Sequence, residues 1–374
     1  LEFKQTNELS FYQDRTLDNQ QALVEYYIHD ATIYRITVTK ESVDYQVITA
    51  DDNWEQMVVD LRSQLVRQKD ISHLCSELGA LLLPDFPSHI TDVIFVLDRS
   101  LNQIPFEVLR YLDTPLVEHY TINYAGSLQL YEKQKELRGR QDFDWVGFAP
   151  KYETMNLFDN EKEVFSISQL VEGHPVLGEE ATKQALLEHS NQASIIHLAT
   201  HTELDKLNPM LNKILFAKKE GSNELTTSEI YGLNLQADMA VLSACNTGTG
   251  VFRGDGVMSM SRAFTYAGTS STLMSLWKVP DQQTSELMIL FYEYLTQGQK
   301  KSEALQNAKL SYLENVQFEE LAHPFYWAGF VLSGDDAPIN FSPPFWKKPA
   351  FIIGAALVLL ALLMIVFKRK KNAS

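Results

Sequence analysis

The sequence predicts an α/β domain built on a mostly parallel sheet with helices on both sides. Three observations predict it. Five short apolar runs, VIFVLD (93–98), FDWVGFA (143–149), SIIHLAT (194–200), DMAVLSA (238–244) and SSTLMSLW (270–277), read as strands buried on both faces. Amphipathic stretches near 127–138, 161–171, 181–190, 256–267, 281–297 and 301–314 alternate with them, the rhythm of a parallel sheet with crossover helices. Ahead of this block, ALVEYYI, TIYRITV and VDYQVIT between Ala22 and Thr49 alternate apolar and polar residues. Turns at His29-Asp30 and Lys40-Glu41-Ser42 divide them, so an antiparallel meander is expected at the N-terminal side.

Taken in order, residues 1–20 are polar and irregular, the edge of a fragment or processed form that opens on Leu1. Residues 21–70 hold the meander and a first helix, near 53–68. A second helix at 71–82 opens the main domain, 71–334. Residues 335–349 carry Pro338, Pro343, Pro344 and Pro349 and read as a linker. Ala350–Phe367 (AFIIGAALVLLALLMIVF) is a run of 18 residues without a charge. As a helix it would cover roughly 27 Å, close to a hydrocarbon core, and is expected to span a membrane once. Trp346 stands at one edge, and residues 368–374 form a basic tail. Four basic residues after the span against two before it favour a cytoplasmic tail. Unpaired thiols and the lack of a basic-then-apolar leader favour a cytoplasmic main domain, and that is the orientation expected.

Composition narrows the function. The 374 residues are 45% apolar, enough for a sizeable core. Two cysteines, Cys75 and Cys245, support neither a disulfide framework nor a Cys-rich zinc cluster. The net charge is −16. Without the six basic residues after Asp336 the remainder holds 26 basic against 48 acidic residues, near −22. Such a surface repels phosphate backbones, so nucleic acid is excluded as a direct partner and protein partners are expected.

In an open parallel sheet, chemistry gathers at the carboxyl ends of strands. Two ends carry reactive residue types. IIHLATHTEL places His201 beyond an apolar run, and AVLSACNTGTG places Cys245 beyond another, followed by a loop with Gly248 and Gly250. An imidazole beside a thiol is the minimum for a cysteine nucleophile, and a tight turn after the cysteine exposes backbone N–H groups for an oxyanion. Either residue alone is also consistent with a buried structural role, as expected for His197 and for Cys75 on its amphipathic helix. His197 and His201 lack the glutamate of a zinc-protease HExxH, so no metal is expected. The loop from Gly248 to Gly256 fails the G-x-G-x-x-G spacing at Arg253, so no nucleotide or other cofactor is expected. Ser243, Asn246, Arg253, Asp255 and Trp277 are the residues placed by position to line a substrate groove.

The stretch from about Leu74 to Gly334 resembles a CHAT domain, a caspase-like domain often found beside tetratricopeptide repeats. The resemblance is carried by LDRSLNQIPFEVLR, VEHYTINYAGSLQLY, EKEVFSI, LGEEATKQALL, IIHLATH, LTTSEIYGLNLQADMAVLSACNTGTG, RGDGVMSMSRAFTYAGTSSTLMSLWKV and HPFYWAGFVLSGD, in that order. It implies the caspase hemoglobinase fold and membership of the caspase–separase clan of cysteine peptidases. It implies His201 and Cys245 as the catalytic pair, with the oxyanion hole at the backbone of Thr202 and Cys245. It also implies control by a partner or an upstream sensing module such as a repeat array. Two departures stand out. Thr202 occupies a position that is usually Gly, and Ser243 stands where some relatives carry an acid for a basic P1 side chain. The function expected is hydrolysis of peptide bonds in a protein substrate by a membrane-anchored enzyme. The alternatives are a catalytically silent interaction and signalling module, and a thiol hydrolase acting on a non-peptide acyl group.

Overall fold

The computed structural model describes residues 17–51, 53–137, 144–152, 159–205, 207–219, 221–243 and 256–341. The chain divides into two compact units, Leu1–Ile339 and Asn340–Ser374, and the sheets and helices below lie in the first. The meander is β1 (Gln21–His29), β2 (Thr32–Thr39) and β3 (Val43–Thr49). Helices α1 (Trp54–Val66) and α2 (Ser72–Leu82) lead to β4 (Asp92–Val96). A small hairpin, β5 (Arg110–Tyr111) and β6 (Thr114–Pro115), precedes β7 (Thr121–Tyr124) and α3 (Leu128–Leu137). Next come β8 (Trp145–Pro150), α4 (Asn160–Val171), β9 (His174–Gly178), α5 (Lys183–His189) and β10 (Ile195–Leu198). A separate three-stranded sheet, β11 (Thr202–Glu203), β12 (Lys213–Leu215) and β13 (Glu224–Thr226), runs into the short α6 (Thr227–Ile230). The chain closes with β14 (Met239–Leu242), α7 (Gly256–Tyr266), β15 (Ser271–Ser275), α8 (Asp281–Thr296), α9 (Lys301–Asn315) and β16 (Phe330–Gly334).

Eleven strands form one sheet in the order β3-β2-β1-β4-β7-β16-β15-β14-β10-β8-β9. Neighbours are parallel except at β3/β2, β2/β1 and β16/β15. The sheet is therefore mostly parallel, as expected, with one feature the periodicity did not reveal. The β16/β15 junction is antiparallel, so two parallel blocks run in opposite directions. The meander extends this same sheet, because β1 pairs with β4 in register from Gln21↔Asp92 to Glu25↔Val96. Flanked on both sides, β1 is mostly buried, while β3 at the sheet edge is almost wholly exposed.

The apolar strands form because both faces are covered. The residues of β4, β8, β10, β14 and β15 are all buried. Gly147 in β8 is required by its neighbour, since a Cβ there would lie 2.1 Å from the Trp145 ring. Helix α9 is held by a carboxylate from beyond β16. Asp336 accepts from the Ser302 N–H at 2.6 Å and from its hydroxyl at 2.8 Å. Asp335, Asp336 and Ile339 are buried, so the stretch that its prolines mark as a linker begins inside the packed unit.

The expectation of a single-pass anchor and a membrane localisation is corrected. Among the described residues no helix is long and apolar enough to cross a membrane. The segment 350–367 that carried the expectation lies outside the described residues.

Candidate active site

The strand order β9-β8-β10-β14-β15 sets the site. From β8 the chain moves outward to β9, then returns to the other side of β8 at β10 and continues through β14 to β15. In open α/β sheets such a reversal is where a ligand crevice forms, at the carboxyl ends of the two strands that flank it, here β8 and β10. Asn160, at the start of α4, bridges these ends. Its amide donates to the Pro150 carbonyl at 3.1 Å and to the Ala199 carbonyl at 3.4 Å.

His201 stands just beyond β10 at this crevice and is only 4% exposed. Both of its main-chain groups are held. Its N–H donates to the Tyr152 hydroxyl at 2.9 Å, and its carbonyl accepts from the Leu215 N–H at 2.9 Å. The Tyr152 ring packs on the imidazole, with centroids 4.8 Å apart. Yet His201 Nε2 is buried without a hydrogen-bond partner among the described residues. A buried polar atom left unmatched costs on the order of 1–3 kcal/mol, so its retention calls for a role. Burial holds the imidazole below its ordinary pKa, Lys278 adds to the depression, and Asp281 opposes it. The neutral, proton-accepting form is thereby favoured at neutral pH.

His197, in the middle of β10, is fully matched. Its Nε2 lies 2.8 Å from Glu163 and its Nδ1 lies 3.1 Å from the Tyr292 hydroxyl, which also meets the Trp145 indole N–H at 3.1 Å. The indole N–H can only donate, so the Tyr292 hydroxyl accepts from it and has its own hydrogen available for His197 Nδ1. The remaining imidazole N–H donates to Glu163.

The other expected site residues fall into two groups. Thr202 opens β11 opposite Ile214 and is buried. The Leu215–His201 bond makes Thr202–Ile214 a non-hydrogen-bonded pair, so the Thr202 N–H is directed away from β12. Ser243 is buried just past β14, and its hydroxyl has no hydrogen-bond partner among the described residues. Trp277 is packed inside: its indole N–H donates to the Phe325 carbonyl at 2.8 Å and the Arg62 guanidinium lies 4.7 Å over its ring. Cys245, Asn246, Arg253 and Asp255 lie outside the described residues. Cys75 sits buried on α2, where burial pushes its thiol up to about 12. Among the described residues no cluster of three His, Cys, Asp or Glu side chains is placed to hold a metal ion. Sequence reasoning missed Tyr152 and Asn160. Both follow directly on a strand end or open a helix at the crevice, which is the one signal that marked them.

Comparison with known proteins fits this geometry. The family model described as CHAT domain matches residues 68–335. Tetratricopeptide repeat protein 28 of Mus musculus and its Homo sapiens counterpart are each 29% identical over 231 residues, covering 53% of this chain and 9% of theirs. This chain thus spans under a tenth of the curated relatives it matches. Two crystal structures of the Saccharomyces cerevisiae separase–securin complex share the fold. They have TM-scores of 0.60 and 0.55 and identities of 8% and 9%, and each alignment covers 88% of this chain and 30% of theirs.

Proposed function

The chain belongs to the CHAT domain family, and from that premise we propose that it is a cysteine peptidase in which His201 is the general base and Cys245 the nucleophile. The observation that carries this reading is the buried, unpartnered Nε2 of His201 at the crevice between β8 and β10. The register adds support. Leu198 and Leu242 are paired on adjacent parallel strands, and His201 and Cys245 each follow their paired residue by three positions. A depressed imidazole pKa suits a base that must be neutral to take the thiol proton. In the proposed step the Cys245 sulfur attacks the scissile carbonyl while its proton passes to His201. The tetrahedral oxyanion is received by backbone N–H groups at Cys245 and Thr202. His201 then returns its proton to the leaving amine, and water hydrolyses the acyl-enzyme.

A protein partner belongs to the same proposal. The matched relatives are tetratricopeptide repeat proteins, and the matched fold was captured in a separase–securin complex. The test is cleavage of an unbiased peptide library by the full chain. Cleavage abolished by Cys245→Ala and by His201→Ala is the expected result. Cleavage that survives Cys245→Ala overturns the nucleophile. Specific partner binding that tolerates both substitutions, with no cleavage, favours a silent interaction module.

A further inference from the structure

We propose that Tyr152 is the positioning residue of this site: its hydroxyl clamps the main chain of His201, and its ring covers the imidazole, so that the base is held in one orientation. The inference rests on His201 as the base. It adds a residue that the sequence motifs around His201 and Cys245 do not contain.

The clamp is a closed cycle of hydrogen bonds. The Tyr152 hydroxyl accepts from the His201 N–H at 2.9 Å and donates to the Leu215 carbonyl at 2.9 Å. Leu215 returns the link through its own N–H to the His201 carbonyl at 2.9 Å. Three segments meet in this cycle: the end of β8, the end of β10 and the last residue of β12. Residue 201 is fixed at both its N–H and its C=O, so its Cα–Cβ direction is set before any substrate arrives. That is the preorganisation a base needs, because a displacement of about 1 Å can cost two orders of magnitude in rate.

The ring supplies a second effect. With its centroid 4.8 Å from the imidazole centroid, it occupies space that water would otherwise take. Burial is the largest cause of the lowered His201 pKa. Two charges also face the imidazole, both from the segment after β15: Lys278 lowers its pKa and Asp281 raises it. From the end of β8 the facing group is Tyr152 itself. Its hydroxyl is raised above its ordinary value by burial and is therefore neutral through the physiological range. The ring and the hydroxyl thus act separately, one on proton affinity and the other on direction.

Two substitutions in the full chain separate these effects. His201 is titrated by NMR through its Cε1–H, and Cys245 reactivity is followed by iodoacetamide in a Cys75→Ser background. Tyr152→Ala removes ring and hydroxyl, and the His201 midpoint is expected to rise toward the ordinary value. Tyr152→Phe keeps the ring, so the midpoint is expected to stay low, while Cys245 alkylation at neutral pH falls roughly tenfold as the pairing loosens. A His201 midpoint unmoved by Tyr152→Ala, in a protein with native chemical-shift dispersion, overturns the covering role. If Tyr152→Ala does not fold, Tyr152→Phe decides alone: an unchanged alkylation rate overturns the clamp. A His201 midpoint that responds to Tyr152→Ala, beside Cys245 alkylation that ignores His201→Ala, leaves Tyr152 as the positioning residue of His201 and removes the peptidase reading instead.

Discussion

His197 lies inside β10 and His201 just past its end, and the two imidazoles live in opposite surroundings. Within the strand, His197 has both nitrogens matched by Glu163 and Tyr292, and the Trp145 indole completes the network. At the carboxyl edge, the backbone of His201 is matched by Tyr152 and Leu215 while Nε2 has no partner. The first arrangement ties β10 to α4 and α8 and has nothing left to offer a ligand. The second fixes a side chain and withholds one of its bonds. One imidazole is spent wholly on holding the fold together, and the other is the one to which the proposed function assigns chemistry.

The largest effect that sharpens this contrast is on stability. His197→Ala leaves Glu163 buried without its hydrogen-bond partner and is expected to cost about 3 kcal/mol or more, the upper end for stranding a buried charged group. His201→Ala removes a side chain that satisfies no hydrogen bond through Nε2 and is expected to cost about 1 kcal/mol. Urea unfolding of both variants measures the gap, and equal losses would break the comparison. Tyr292→Phe should fall between them, at about 1–3 kcal/mol, because it leaves His197 Nδ1 and the Trp145 N–H unmatched.

Smaller effects concern proton affinity at the edge. Lys278→Met is expected to raise the His201 midpoint and Asp281→Asn to lower it, as read by NMR titration. The His201 pKa is lower in the folded protein than in the unfolded chain, whose value is about 6.5. The unfolded chain therefore takes up the proton first as pH falls. The contribution of neutral, buried His201 is complete above about pH 6.5 and is lost as pH falls through that value toward the folded pKa. His201→Gln should flatten the unfolding free energy across this window, and a wild-type slope retained in the variant would assign it to other groups.

The strands buried on both faces were legible in the sequence because five short, mostly apolar runs alternate with amphipathic stretches. The join of the meander to the main sheet was not, since nothing in QALVEYYIH distinguishes pairing with β2 from pairing with β2 and β4 together. Four-residue β7 and the three-residue strands β12 and β13 are too short to carry a period. At the site, His201 stood out by its motif and its place after a buried strand. Tyr152 did not, because it acts across 49 positions of sequence through a single hydroxyl. Asn160 likewise reaches across 39 positions to the Ala199 carbonyl. Such contacts belong to the topology, not to any local pattern. Trp277, expected at a groove, packs under Arg62 and donates to the Phe325 carbonyl, and the distant α1 that supplies Arg62 gave no sign of this contact.

The most direct test of the account is the pH dependence of Cys245 alkylation in a Cys75→Ser background, with and without His201→Ala. Burial pushes the Cys75 thiol up to about 12, so the substitution is expected to remove only a minor background. The account predicts a midpoint well below the roughly 8.5 of a free thiol, moving back toward that value when His201 is removed. An ordinary midpoint that ignores His201→Ala would contradict it.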